Sequence, residues 1–237
     1  MSSNGKLFGC EILLRYWHKR YGSIPPYAIL TISEEAGSDD KLNEWIFATA
    51  LDDCKRIFDC GFTDLVISIN ISPVQLKNET IFNILEEKLR EHKMNPDLIE
   101  IELTENISIE ESDEINKVFA RLKSIGVRLA IDDFGMGHTS LTYLRSYDFD
   151  TVKLDGILIE DIHKNESSAN IVKSVIDLAN SLDIHVVAEC VENIEQIDKL
   201  NELGCHIYQG YYYSKPLQLD QFLDYARTNI VSKEAAD

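Results

Sequence analysis

Strand-like and helix-like patterns alternate along this chain, and each strand-like run stops at a polar side chain able to bind a metal or a phosphate. The seven stops, in order, are Glu11, Asn70, Glu102, the pair Asp132 and Asp133, Lys153, Glu189 and Gln209. Repeated βα alternation implies a mainly parallel sheet covered by helices. All strands of such a sheet open their C-terminal ends on one side, and in a (β/α)8 barrel catalytic groups collect there. One polar strand end carries little weight. Seven in register predict a site.

The strands are expected over Leu7–Arg15, Leu65–Ile71, Leu98–Thr104, Val127–Asp132, Thr151–Leu154, Ile184–Glu189 and His206–Gln209. Between them, apolar residues recur at i, i+3, i+4 and i+7. One such face carries Ile115, Val118, Phe119, Leu122 and Ile125, and a second carries Ile171, Val172, Val175, Ile176 and Ala179. A third carries Ile194, Ile197, Leu200 and Leu203, and Leu42, Trp45 and Ile46 place Trp45 in the core. Gly126 and Gly204 follow two of these helices where a left-handed cap is expected.

Side chains alternate faces along a strand. Ile99, Ile101 and Leu103 therefore oppose Glu100, Glu102 and Thr104, while Val127, Leu129 and Ile131 oppose Arg128, Ala130 and Asp132. An open sheet covered on both sides is apolar on both faces. Here one face turns polar towards the strand ends, as in a closed barrel whose inner face leads to a site. Seven strands are one short of eight, and the deficit falls before Glu11. Such an unpaired edge invites association. The expectation is an α/β, TIM-like barrel lacking its first strand, one domain over residues 1–230, with a flexible tail at 231–237. A chain of 237 residues, 44% apolar, can bury one such core.

A formal charge of −18 argues against a grip on polymeric nucleic acid, which needs Lys and Arg to neutralise phosphates. The five cysteines are odd in number and lack zinc-ligand spacing, as expected of reduced thiols in a cytoplasmic protein. No apolar run of about 18 residues predicts a membrane span.

Two carboxylates about 4 Å apart repel by roughly 4 kcal/mol at an effective dielectric of 20. Without a cation, one of Asp132 and Asp133 tends to keep its proton. Glu11, Glu102 and Glu189 on the same face make the cluster intolerable without counterions, and a pair of divalent cations resolves it. Oxygen ligands with an Asn carbonyl favour Mg²⁺ or Mn²⁺ over zinc. Two such ions would polarise a phosphodiester for attack by water. Lys153 suits orienting that water, although a buried ion pair competes as an explanation. Taken singly, a strand-end acid is usually a helix cap or a surface charge. The prediction rests on all seven positions together.

Gly9-Cys-Glu-Ile-Leu-Leu-Arg15 resembles the signature of the EAL-domain family of cyclic-di-GMP phosphodiesterases. Ser68-Ile-Asn-Ile-Ser72, Glu100-Ile-Glu-Leu-Thr-Glu105 and Asp132-Asp-Phe-Gly-Met-Gly137 resemble its next motifs. Val152-Lys-Leu-Asp155, Val187-Ala-Glu-Cys-Val-Glu192 and Gln209-Gly-Tyr-Tyr-Tyr-Ser-Lys-Pro216 complete the series in family order. The resemblance implies hydrolysis of cyclic di-GMP to linear pGpG in bacterial signalling. It implies two Mg²⁺ or Mn²⁺ held by Glu11, Asn70, Glu102, Asp132, Asp133 and Glu189. Lys153 would orient the nucleophilic water, Gln209 would support the site, and Arg15 would pair with a substrate phosphate. Glu192 would anchor the loop from Phe134 to His138, which in the family couples dimerisation to metal binding. A homodimer is thus implied, with sensor or cyclase domains as partners outside this chain.

The chain departs from the family pattern at several points. Ile12 replaces the usual Ala but points away from Glu11. Cys190 stands where Gly is usual, which strains the backbone if that position needs a positive φ. Met136 and His138 alter the loop. The strand with a Tyr-Gln-Pro signature that usually precedes the Glu motif is missing. These departures keep open an alternative, an impaired EAL domain acting as a cyclic-di-GMP sensor or protein-interaction module. Tyr211, Tyr212 and Tyr213 could stack on guanine, with packing the competing role.

Overall fold

The computed structural model describes residues 6–72, 75–104, 113–135, 144 and 146–231. Its strands are β1 (Gly9–Ile12), β2 (Tyr16–His18), β3 (Gly22–Ile24), β4 (Val66–Ile71) and β5 (Ile99–Thr104). They continue as β6 (Arg128–Phe134), β7 (Thr151–Leu154), β8 (His185–Ala188) and β9 (Ile207–Tyr208). Seven form one parallel sheet in the order β1-β4-β5-β6-β7-β8-β9. Each successive strand joins the same growing edge, with helices in the crossovers, which is the winding of a (β/α) barrel. All seven expected strands are present. β1 and β9 are the sheet's edges, and no strand lies between them among the described residues. The seam is crossed by a side chain instead: Gln209 Nε2 donates to Glu11 Oε2 at 2.6 Å.

Strand boundaries shift from expectation by up to three residues, most at the end of the first strand. The first strand does not run to Arg15 but ends at Ile12, and Tyr16–His18 turns into an antiparallel hairpin with Gly22–Ile24. Its Tyr16 and Trp17 stand 51% and 74% exposed.

The core lies between the outer strand face and the helices. Ile67, Ile69, Ile101, Leu129, Ile131 and Val152 pack there against Phe47, Leu51, Phe82, Leu85, Leu122 and Val172. Full burial of such side chains stabilises by about 1.5–3 kcal/mol each. Ile12 joins this packing, as its alternation from Glu11 requires. Helix Ile194–Leu203 begins with a capping box between Asn193 and Gln196. Gly126 and Gly204 adopt φ of 89° and 93° and end their helices as expected.

Three of the residues expected on apolar helix faces, Trp45, Ile171 and Ile194, are exposed. Trp45 is 59% exposed, contrary to expectation. The buried residues of helix Asp39–Asp59 are Phe47, Ala50, Leu51, Cys54 and Ile57, and Trp45, two positions before Phe47, lies about 200° round the axis. Ile171 flanks the buried stripe of helix Glu166–Ser181, and Ile194 is the first residue of its helix; they are 48% and 46% exposed. No helix among the described residues is long and apolar enough to cross a membrane. The expected tail lies outside the described residues from position 232 onward.

Candidate active site at the strand ends

Lys153 is the centre of the barrel mouth. It lies on the inner face of β7 and is 3% exposed. Its Nζ is 2.8 Å from Glu189 Oε1, 2.9 Å from Glu102 Oε2, and 3.4 Å from both Glu11 Oε2 and Asp132 Oδ1. These acids come from the ends of β8, β5, β1 and β6, so one cation joins four strands across the lumen. Asn70 Nδ2 donates to Glu11 Oε1 at 2.5 Å while Gln209 holds the other oxygen. The structure therefore gathers Glu11, Asn70, Glu102, Asp132, Lys153, Glu189 and Gln209 at one point, as their strand-end positions predicted.

Asp133 reaches the site by another route. In a regular strand it would point away from Asp132. The β6–β7 register shifts between Ile131 and Phe134, and Asp133 takes a φ of 56°. Such an irregularity re-aims a side chain, and Asp tolerates the left-handed region better than most residues. As a result, oxygens of Asp132, Asp133 and Glu189 lie within 4.8 Å of one another.

One ammonium cannot balance this many acids. Burial lowers the affinity of Lys153 for its proton, but Glu102, Glu11, Glu189 and Asp132 outweigh it, and its pKa stands well above the usual lysine value. Burial raises Glu11, yet the Lys153 charge and the amides of Gln209 and Asn70 prevail and hold it below the usual carboxylate range. Glu102 goes the other way: burial drives it well up despite Lys153, with Glu11 and Asp132 adding to the effect. Burial likewise lifts Glu189 to about 7 and Asp133 to about 6, the latter helped by Asp132 and Asp155. The mouth holds excess acid and retains protons for want of further positive charge.

Two buried oxygens, Glu102 Oε1 and Asp132 Oδ1, have no hydrogen-bond partner among the described residues. Asp132 Oδ1 has Lys153 at ion-pair distance without hydrogen-bond geometry. A buried carboxylate oxygen left unmatched is costly and calls for explanation. The all-oxygen donor set and the tight trio Asp132, Asp133 and Glu189 fit a hard divalent cation.

A groove of about 1070 Å³ opens beside these acids and is lined by Arg15, Glu192, Tyr211 and Lys215 among others. Arg15 is exposed, and its Nη1 donates to Leu14 O at 2.8 Å. Glu192 is exposed too, and its backbone N–H donates to Gln196 Oε1 at 2.7 Å. The loop it was expected to anchor is described only at Phe134 and Gly135; Met136, Gly137 and His138 lie outside the described residues, as does Glu105. Tyr211 and Tyr212 are 60% and 45% exposed, whereas Tyr213 packs on the core and stacks with Tyr208.

The family model for the EAL domain matches residues 1–216. The chain belongs to the EAL-domain family. This EAL domain is 36% identical over 219 residues to an uncharacterized signaling protein of Caulobacter vibrioides, covering 92% of this chain and 27% of that one. It is 33% identical over 221 residues to the cyclic di-GMP phosphodiesterase RocR of Pseudomonas aeruginosa, covering 93% of this chain and 56% of RocR. Among solved structures, the MucR phosphodiesterase in complex with c-di-GMP superposes with a TM-score of 0.85 at 30% identity, covering 93% of this chain and 90% of that one. The chain spans 27% to 33% of the length of four curated relatives it matches.

Within this EAL domain the departure at Cys190 has a structural consequence. Its φ is 53°, a conformation that favours glycine. Two inner-face groups also escaped the sequence reading. Glu100 lies beneath the site and accepts from Ser68 and Thr151. Asp155 caps the turn at Ile157 and raises Asp133. The period-two pattern put both on the inner face, and both fall within the motifs that resemble the family series, yet neither signal gives them a role.

Proposed function

We propose that this EAL domain hydrolyses one phosphodiester bond of cyclic di-GMP, giving linear pGpG and lowering the level of the messenger. The observation that carries this reading is the mouth itself: four carboxylates within 3.4 Å of one buried Lys153, with two of their oxygens unmatched among the described residues. RocR and the Escherichia coli relative PdeR are named cyclic di-GMP phosphodiesterases, and MucR has been solved with the dinucleotide.

Glu11, Asn70, Glu102, Asp132, Asp133 and Glu189 would hold two divalent cations, Mg²⁺ or Mn²⁺. When bound, such ions supply Lewis-acid chemistry, polarising the phosphoryl group and making water more acidic. The side chains do the rest. Lys153 stays protonated at neutral pH, so its Nζ is a fixed donor at the base of the mouth, able to orient the attacking water. Gln209 and Asn70 grip both oxygens of Glu11 and fix its rotamer. Arg15, at the rim of the groove, would meet a substrate phosphate in bidentate fashion. Glu192 would anchor the loop after Gly135 and link the site to a homodimer interface. The domain would work in the cytoplasm, in a longer protein carrying sensor or cyclase domains.

One observation favours a second reading, a cyclic-di-GMP sensor or docking module. Cys190, strained at φ 53°, sits directly after Glu189 and two residues before Glu192. Incubation with cyclic di-GMP and Mg²⁺ or Mn²⁺, followed by chromatography, separates the two. The expected product is pGpG; binding without pGpG would replace the enzyme by the sensor.

A further inference from the structure

The geometry points to Glu100 as a positioning residue that sets how far Asn70, Glu102 and Lys153 reach into the mouth. It deepens the proposed metal-dependent reading and rests on it for the metal arm of its test.

Glu100 is 4% exposed inside the barrel. Its Oε1 accepts from Ser68 Oγ at 2.8 Å and its Oε2 from Thr151 Oγ1 at 2.5 Å. Arg128 Nε stands 3.9 Å from Oε2, close enough to offset the charge without a hydrogen bond. Ser68, Glu100 and Thr151 lie on β4, β5 and β7. Each is two residues before a site residue on the same strand and so shares its face: Ser68 before Asn70, Glu100 before Glu102, Thr151 before Lys153.

The topology gives this layer its importance. β6 separates β5 from β7, so no backbone ladder sets the distance between Glu102 and Lys153 across the lumen. Glu100 supplies that link one layer below, where its carboxylate bridges β5 directly to β7. An ionised carboxylate has two oxygens and no donor, which suits two converging hydroxyls. An apolar residue would leave both hydroxyls unmatched in a buried place. The four contacts of Lys153 at 2.8–3.4 Å leave little tolerance for a shift between these strands. A misplacement of about 1 Å can cost about 100-fold in rate.

The test compares Glu100→Gln with Glu100→Ala in the full chain. Gln keeps the shape: one of the Ser68 and Thr151 hydroxyls still donates to its Oε1 while the other reverses to accept from its Nε2, so the bridge survives. Mn²⁺ affinity is measured by calorimetry in the absence of nucleotide, kcat and KM with cyclic di-GMP, and folding by circular dichroism. Glu100→Ala is expected to fold, to bind Mn²⁺ about 10- to 100-fold more weakly, as when the support of a metal ligand is removed, and to lose kcat with little change in KM. Glu100→Gln should stay close to wild type in each. A folded Glu100→Ala protein with wild-type Mn²⁺ affinity overturns the assignment. If Glu100→Ala does not fold, Thr151→Val removes a single hydroxyl at nearly constant shape and should weaken Mn²⁺ several-fold; unchanged affinity there overturns it equally. A wild-type protein that binds Mn²⁺ but releases no pGpG defeats the phosphodiesterase reading and leaves the metal arm decisive for Glu100. No Mn²⁺ binding by the wild type defeats both.

Discussion

Lys153 Nζ lies 2.9 Å from Glu102 Oε2, with the two side chains 3% and 1% exposed. Removing one partner of a buried ion pair is far more damaging than the pair is beneficial, because a charge is left stranded. Lys153→Met would strand Glu102 together with Glu11, Glu189 and Asp132. The variant should lose about 3–5 kcal/mol of stability at pH 8 without metal. The loss should shrink at pH 5.5, where the acids can take up protons. Urea denaturation at both pH values reads this directly, and equal losses at the two would contradict the electrostatic account.

The apo protein should be more stable in mild acid than in mild base. Glu189 is raised to about 7 from an ordinary 4.5, Asp133 to about 6, and Glu102 well up. Native acids with raised pKa values bind protons that the unfolded chain has released. Their contribution is complete below the unfolded values, 4.5 for the two glutamates and 3.8 for Asp133, and is lost as pH rises through the folded values. Lys153 is protonated throughout this window, and the lowered pKa of Glu11 acts only below it. Between pH 5 and 8 the melting temperature of the apo protein should therefore fall, with Glu189 contributing on the order of 1–3 kcal/mol. Saturating Mn²⁺ should abolish or reverse the slope, since a cation favours the deprotonated acids. A slope that is flat without metal would show that these acids are not protonated in the native state.

The sequence carried the barrel and most of the site because both follow from local rules. Alternation assigned Glu102 and Asp132 to the inner face, and the strand ends brought Glu11, Lys153 and Glu189 to one mouth. Three features needed tertiary context. Asp133 reaches the mouth only because β6 is irregular, a feature that period two conceals. Trp45 shares an apolar surface with Leu42 and Ile46, yet the sheet lies against the opposite side of the helix, on Phe47 and Leu51. Glu100 was legible as inward-facing, but its partnership with Thr151, 51 residues away, depends on barrel curvature that no pairwise pattern records.

Cys190 and Gly156 form a second relationship open to test. A Cβ placed on Gly156 would stand 2.7 Å from Cys190 Cβ and 2.8 Å from its Sγ. Cys190 itself holds a φ of 53°, at a cost of roughly 1–2 kcal/mol for a residue with a side chain. Cys190→Gly should therefore stabilise by about 0.5–1 kcal/mol, the strain relieved being partly offset by the entropy of glycine. Gly156→Ala should destabilise by about 1–3 kcal/mol as an overpacking change. In the Cys190→Gly background the same Ala should cost almost nothing. A double-mutant cycle by thermal denaturation measures the coupling, and additive effects would mean that the backbone relaxes away from the contact.

Glu11 gives the sharpest test of the metal assignment, because its role in the fold is slight. Its partners Asn70 and Gln209 lie at the rim, where water can replace the carboxylate as acceptor. Its loss also relieves repulsion on Glu102, which Glu11 helps to raise. Glu11→Ala should therefore remain folded, with a change in stability within about 1–2 kcal/mol. Turnover should fall by at least about 1000-fold if Glu11 is a ligand of an ion that activates the phosphodiester. Glu11→Gln keeps the shape but removes the charge, and it should be nearly as inactive. Near-ultraviolet circular dichroism establishes the fold, pGpG release gives the rate, and Mn²⁺ titration gives the affinity. Full activity in either folded variant would remove Glu11 from the ligand set and return it to the lesser role of bracing the seam between β1 and β9.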